Sequence, residues 1–358
     1  MKKSITASIS VLLALSMTAL AGCGSSSGSS SSQSSSSSDA TSASSSEASS
    51  TGELEKVTLQ LKWLPQSQFM GYYVADAKGY YKDEGIDIEI LPGGSDIIPE
   101  QQVYNGVADI GTTWVSSLLK YQSDGWGLTQ TAQIFQKSAM LLVSKKETGI
   151  NTPADLKGKK IGSWFGGNEY ELYAMIEGAG LDREKDLTLV QQDYTMDQIM
   201  NDELDAASAM TYNEYGLLLE NGYTKDQLNV LDMNENDCAM LEDSLFVNSD
   251  WIKDNGDLFV RFMRASIKGW ADAVADPDAA GQIVYDVDQS VSLEHQKYMA
   301  QEVAKLVVPE GFDAAKIGSI DMDAMKQTAD YAFKYGLLSK EADVAAGVDT
   351  SYWEAATK

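Results

Sequence analysis

A strand that runs into a tryptophan, then a turn and a helix, occurs twice in this chain, with Trp63 and Trp164 at matching places 101 residues apart. A second pair of markers keeps nearly the same step. Asn105 and Asp109 recur as Asn201 and Asp205, 96 residues on, with the same internal spacing. Two registers agreeing within five residues point to a duplicated unit. In the first copy Val57–Lys62 alternates like a half-buried strand, and Gln68–Lys78 has helical spacing closed by Gly79. Ile86–Ile90 is the next strand, stopped by Pro92, Gly93 and Gly94; a short helix ending near Asn105 then leads to a strand at Ala108–Thr112. The second copy reads Lys159–Ser163 strand, Glu169–Ala179 helix, Thr188–Gln192 strand, Met196–Asn201 helix and Ala206–Met210 strand, after a helix start at Thr152-Pro153. Such alternation predicts an α/β fold of mostly parallel sheets covered on both faces. Ligands of such sheets sit at the carboxyl ends of strands beside helix N-termini. Trp63, Gly93-Gly94, Trp164 and Gly166-Gly167-Asn168 fall there.

Charge and rare residues narrow the function. With 53 acidic against 27 basic side chains the formal charge is −26, which repels phosphate backbones and anionic lipid, so no nucleic-acid partner is expected. One histidine (His295) and two cysteines (Cys23, Cys238) leave no Cys/His zinc site and no disulfide framework. The arginines are Arg183, Arg261 and Arg264, none at an expected cleft edge. An anion-binding site usually wants a guanidinium fork, so a neutral or cationic planar ligand is favoured.

The N-terminus reads as a processing signal. Met1-Lys2-Lys3 precedes the apolar run Ile9–Leu20, which is too short for a stable span and ends at small residues. Leu20-Ala21-Gly22-Cys23 resembles the bacterial lipoprotein cleavage box, which implies residues 1–22 as signal peptide and a lipidated Cys23. Residues 23–52 hold 18 serines and few apolar side chains, and so are expected to form a flexible tether. Its reach is about 30 Å. The folded part is then 53–358, held at the extracytoplasmic face of a cell membrane.

One stretch resembles a known family. Lys62-Trp63-Leu64-Pro65-Gln66-Ser67-Gln68-Phe69-Met70-Gly71-Tyr72-Tyr73-Val74-Ala75, with Gly79-Tyr80-Tyr81 and Gly85-Ile86-Asp87 behind it, resembles the opening of the solute-binding proteins for thiamine pyrimidine precursors. Those are components of ABC importers and are related to the fungal pyrimidine synthases. Trp164-Phe165-Gly166-Gly167-Asn168-Glu169 and Tyr212-Asn213-Glu214 look like two further motifs, and the resemblance runs from about Val57 to Asp278. It implies a type II periplasmic-binding-protein fold: two Rossmann-like lobes with a hinge and C-terminal helices. Lobe 1 would take about 53–142 plus 245–358 and lobe 2 about 143–244, the chain crossing near Leu142–Ser144 and returning near Cys238–Phe246. It also implies a monomer partnered by a permease and an ATPase, with no cofactor and no metal.

The residues themselves fit a flat heterocycle, which needs aromatic faces for stacking and polar groups at its edge. Trp63, Tyr72, Trp114, Trp164 and Tyr212 are the candidate faces; Asn168, Glu169, Asn213 and Glu214 are the candidate edges. Gly166 and Gly167 open a helix, and Gln66 and Phe69, inside the first motif, complete the expected ligand set. Glu242 and Asp243 lie near the return crossing, reaching the cleft or a solvated face. Lys62 carries the contrary reading of a cleft ammonium that attracts an anion.

An aminopyrimidine is the first ligand expected; riboflavin or another flat heterocycle comes next, then a sulfonate such as taurine. A sensory or adhesive lipoprotein would use the same fold. The related synthases consume a histidine of their own and carry a cysteine-rich iron motif. Here His295 falls in the helical stretch Ser292–Lys305, where a surface role is expected, and only Cys238 remains beyond Cys23. The chain therefore reads as a binding protein and not as an enzyme.

Overall fold

The computed structural model describes residues 53–165, 167 and 169–358; Cys23, the serine tract, Gly166 and Asn168 lie outside the described residues. In the first lobe β1 (Glu55–Gln60), β2 (Ile86–Leu91) and β3 (Ile110–Thr113) run parallel. They are linked by α1 (Met70–Ala77), α2 (Tyr80–Asp83) and α3 (Pro99–Tyr104), and α4 (Val115–Ser123) then leads to β4 (Leu128–Gln133). The second lobe starts at β5 (Met140–Lys145) and continues through β6 (Lys160–Ser163), α5 (Glu169–Gly178), β7 (Thr188–Gln191) and α6 (Asp197–Met200). It closes with β8 (Ala206–Met210), α7 (Glu214–Glu220) and β9 (Leu228–Asp232). β10 (Ser244–Asn248) then returns to the first sheet. The sheet orders are β2-β1-β3-β10-β4 and β7-β6-β8-β5-β9, the same arrangement twice. In each sheet the first strand laid down after a crossing, β10 or β5, is the antiparallel one.

The repeated aspartates do the same work in both copies. Asp109 Oδ2 accepts the Thr58 N–H at 2.8 Å, and Asp205 Oδ2 accepts the Lys160 N–H at 2.7 Å. Each returns its own N–H to the carbonyl of the same residue, at 3.2 and 2.8 Å. Each thus ties the third strand of its lobe to the first where the ladder begins. Asn105 and Asn201 close α3 and α6 as their C-caps. The 96-residue register records this shared fastening.

The first crossing lies between Gln133 and Met140, ahead of Leu142–Ser144, which sit inside β5. Hydrophobic periodicity blurs this boundary because Met140–Ser144 are all buried, flanked by strands on both sides. The C-terminal helices α8 (Trp251–Ala275), α9 (Pro277–Val287), α10 (Leu293–Val307), α11 (Met322–Lys334) and α12 (Ser351–Ala356) follow. α8 packs on α1, with Phe259, Phe262, Met263 and Trp270 fully buried. On α11 Met325 and Ala329 are buried, whereas Met322 and Phe333 are exposed at the helix ends. No described helix is long and apolar enough to cross a membrane.

Candidate functional site

Six strand ends converge on one cavity of about 390 Å³ between the two sheets. From the first lobe, the segment after β1 brings Lys62, Trp63, Gln66 and Gln68, and the turn after β2 brings Gly94 and Ser95. Pro99 and Glu100 open α3, and Trp114 stands at the N-cap of α4 with Thr113 before it and Ser117 and Tyr121 on the helix. From the second lobe come Trp164 and Phe165 after β6, Tyr194 after β7, and Met210, Tyr212, Asn213 and Glu214 at the β8–α7 turn. The packing that shapes these turns is specific. A Cβ on Gly93 would lie 2.3 Å from the Leu61 carbonyl oxygen, and the Gly93 N–H donates to the Trp63 carbonyl at 2.9 Å. Only glycine lets the two strand ends approach so closely. Trp164 is oriented by its Nε1–H, which donates to the Asp193 carbonyl at 2.9 Å. Phe165 next to it has a left-handed φ of 42°, a conformation that costs a non-glycine residue energy and collects at functional sites.

The lobes touch at the mouth. The Trp63 and Tyr194 rings lie 5.2 Å apart, and Ser116 Oγ donates to the Gly167 carbonyl at 2.8 Å.

The floor is charged but balanced. Lys62 Nζ lies 2.9 Å from Asp243 Oδ2 and 3.8 Å from the Trp114 ring centroid, with its side chain fully buried. The ion-pair distance is short, yet the ammonium makes no well-directed hydrogen bond among the described residues. The pair is therefore a close charge contact with donor capacity left over. Gln68 Nε2 donates to both Asp243 oxygens and receives Gln66 Nε2–H on its own Oε1 at 2.9 Å. Burial pushes the Asp243 carboxyl up and Lys62 pulls it back. Burial likewise raises Glu100, whose carboxylate accepts from Thr113 Oγ1. Glu214 is pushed up to about 7 by burial, against the Met210 N–H at 2.9 Å and the Asn213 amide at 2.8 Å that it accepts. Trp114 Nε1 is buried without an acceptor among the described residues.

The structure brings Trp63, Gln66, Trp114, Trp164, Tyr212, Asn213 and Glu214 to the cavity. Phe69 and Tyr72 are corrections: both are buried in the core, and Tyr72 stands edge-on to Trp270 at 5.4 Å because the apolar face of α1 turns toward α8. Gly167 and Glu169 do not line it either. Glu169 Oε2 accepts the Gly167 N–H at 2.7 Å, so it braces the loop from behind. Glu242 is buried at the crossing, where its Oε1 accepts the Ala139 N–H at 2.8 Å and the Ser138 hydroxyl at 3.1 Å. His295 is no surface residue, being 2 % exposed and bonded to Glu220 and Asn213. Sequence reasoning missed Glu100, Tyr121 and Tyr194. For Glu100 a signal existed: Pro99 sets a helix start beyond Gly93-Gly94, at a strand's carboxyl end.

Two α/β lobes joined in this way have known parallels. The chain is 16% identical to the periplasmic aliphatic sulphonate-binding protein SsuA from Escherichia coli, with a TM-score of 0.64 over 83% of this chain and 92% of that one. The likeness shows a shared fold, that of the periplasmic binding proteins. In sequence it is 28% identical over 300 residues to the riboflavin-binding protein RibY of Chloroflexus aurantiacus, covering 81% of this chain and 84% of the relative. It is 26% identical over 238 residues to the formylaminopyrimidine-binding protein of Halalkalibacterium halodurans, covering 65% and 71%. The family described as NMT1/THI5-like matches residues 66–280, from Gln66 in the cavity lining, through all the second-lobe strands, to the start of α9. That span takes in most of the cavity wall, and the chain belongs to the NMT1/THI5-like family.

Proposed function

We propose that this protein captures a planar nitrogen heterocycle, first an aminopyrimidine of the thiamine-precursor type, and delivers it to the permease of an ABC importer. One observation carries the reading: Trp63, Trp114, Trp164 and Tyr212 meet from both lobes around the buried carboxyl groups of Glu100 and Glu214, with no arginine among the lining residues. Ring faces suit stacking, carboxylates accept from an amino edge, and the unpartnered Trp114 Nε1 offers a donor to a ring acceptor. The Lys62 charge is already met by Asp243, which weakens the case for an anion. The relatives that bind formylaminopyrimidine and riboflavin support a heterocycle. Riboflavin is the second reading, favoured by the further rings of Tyr121, Phe165 and Tyr194 that would accommodate a longer aromatic system.

Titration of the protein with formylaminopyrimidine, riboflavin and an alkylsulfonate, read by tryptophan fluorescence, tests this. Micromolar or tighter binding of one heterocycle is expected. Binding of the sulfonate alone would overturn the reading. We propose further that Cys23 carries the lipid anchor, so Cys23→Ser should release the protein from the membrane fraction. Persistent detergent-dependent partitioning would refute the anchor.

A further inference from the structure

The lone histidine of the chain sits where the lobes meet, outside the cavity lining. His295 is on α10, its N–H accepted by the N-cap Ser292 hydroxyl at 3.1 Å. α10 packs on α8, α9 and the turn Ser67–Phe69, and its other face reaches α7 of the second lobe. The ring places Nδ1 2.7 Å from Glu220 Oε1 and Nε2 2.8 Å from Asn213 Oδ1. With Glu214 ionised, its Oε1 takes the Asn213 Nδ2–H at 2.8 Å, which turns the amide oxygen away from it. The atom facing the imidazole is therefore an oxygen. A carboxylate and an amide oxygen only accept, so both ring nitrogens must carry hydrogen for both contacts to form. One turn on, Tyr298 stacks at 5.9 Å from the ring and donates its hydroxyl to the Thr211 carbonyl at 2.8 Å. One helix thus grips the 211–214 turn at two points, and Asn213 faces the cavity.

We propose that His295 is a positioning residue of the ligand site: as a doubly protonated imidazolium it clamps Asn213 in the cavity wall. Its contacts reach the ligand only through that asparagine. The titratable groups against the ring are Glu220 on α7, Glu214 one link further through Asn213, and Tyr298 on its own helix. Among the described residues the ring makes no other ion pair. When a ring proton leaves to solvent, the charged acceptor Glu220 keeps the stronger hydrogen bond and Asn213 is released. Ligand affinity then depends on the ring keeping both hydrogens, and by reciprocity bound ligand favours the imidazolium.

A single histidine makes the test clean. In tag-free full-length protein labelled with ¹⁵N-histidine, both ring nitrogens should give N–H-type signals at pH 7.5, where Glu214 is mostly ionised. Asn213→Ala should move the Nε2 signal and leave Nδ1. The affinity arm rests on the heterocycle reading and uses riboflavin and formylaminopyrimidine as probes. His295→Gln should weaken binding about tenfold. In an Asn213→Ala background the same substitution should add nothing. An Nε2 signal indifferent to Asn213→Ala, or a full penalty for His295→Gln in that background, overturns the proposal. If neither probe binds the unmodified protein, the heterocycle reading fails, and the nitrogen signals still decide the clamp.

Discussion

The two tryptophan turns stand at equivalent strand ends but are built differently. The Trp63 turn is wired from every side: Gly93 donates to its carbonyl, Thr112 Oγ1 accepts the N–H of Lys62 at 2.8 Å, and Lys62 is anchored on Asp243. The Trp164 turn is held by Asp193 and Gln191 at the protein surface and includes the strained, exposed Phe165. A duplicated framework therefore carries one rigid wall and one adjustable wall. Under the proposed function the first would set the plane of the bound heterocycle and the second would accommodate its outline.

The largest test of that contrast strikes the rigid wall. Asp243→Asn keeps the shape and suits the left-handed φ of 50° but strands the Lys62 charge, so it should cost roughly 3–5 kcal/mol in denaturant unfolding. A loss under 1 kcal/mol would mean that this wall is not wired as described. On the second lobe, Glu214 is the sensitive group. Its folded carboxyl titrates near 7 against an ordinary value of 4.5, so the folded state holds the proton more tightly. That contribution is fully present below about pH 4.5 and lost as pH climbs through 7, on the order of 3 kcal/mol. Thermal unfolding should accordingly occur at lower temperature at pH 8 than at pH 5, and Glu214→Gln should reduce the difference. Glu171, Glu242 and Asp243 are raised by burial too and act in the same direction, so Glu214→Gln should leave part of the slope.

Affinity should divide between the walls in the same order. Trp63→Ala is expected to weaken heterocycle binding by about a hundredfold and Trp164→Ala by about tenfold, measured by calorimetry. Equal losses would erase the distinction. The smallest effect belongs to Phe165→Gly, which relieves the positive φ and should change stability by no more than about 1 kcal/mol while loosening the adjustable wall.

Much of the frame could be read from the chain alone because its signals are local. Asp109 and Asp205 bind backbone at a fixed step from their strands, and β8 begins and ends where alternation and turns place it. The cavity was legible where a residue stands within three positions of a strand's end, as Trp63, Trp114, Trp164 and Tyr212 do. It was not legible for Tyr72, whose motif is shared by the core face of α1 and the cleft turn. Tyr194 lies in an irregular stretch with no period to read. His295 shows the limit most clearly. A lone polar residue on an amphipathic helix ordinarily faces water, and its partners stand 75 and 82 positions away in sequence.

The ring contact between Trp63 and Tyr194 has a kinetic consequence. A tilted aromatic pair contributes about 0.5–1.5 kcal/mol, one to three times thermal energy. Taken by itself, such a contact parts and re-forms continually, so it retards escape of cargo by no more than about tenfold. The Ser116–Gly167 hydrogen bond adds to the resistance at the lip, and under the proposed function residence time would still be set mainly by what the ligand grips inside.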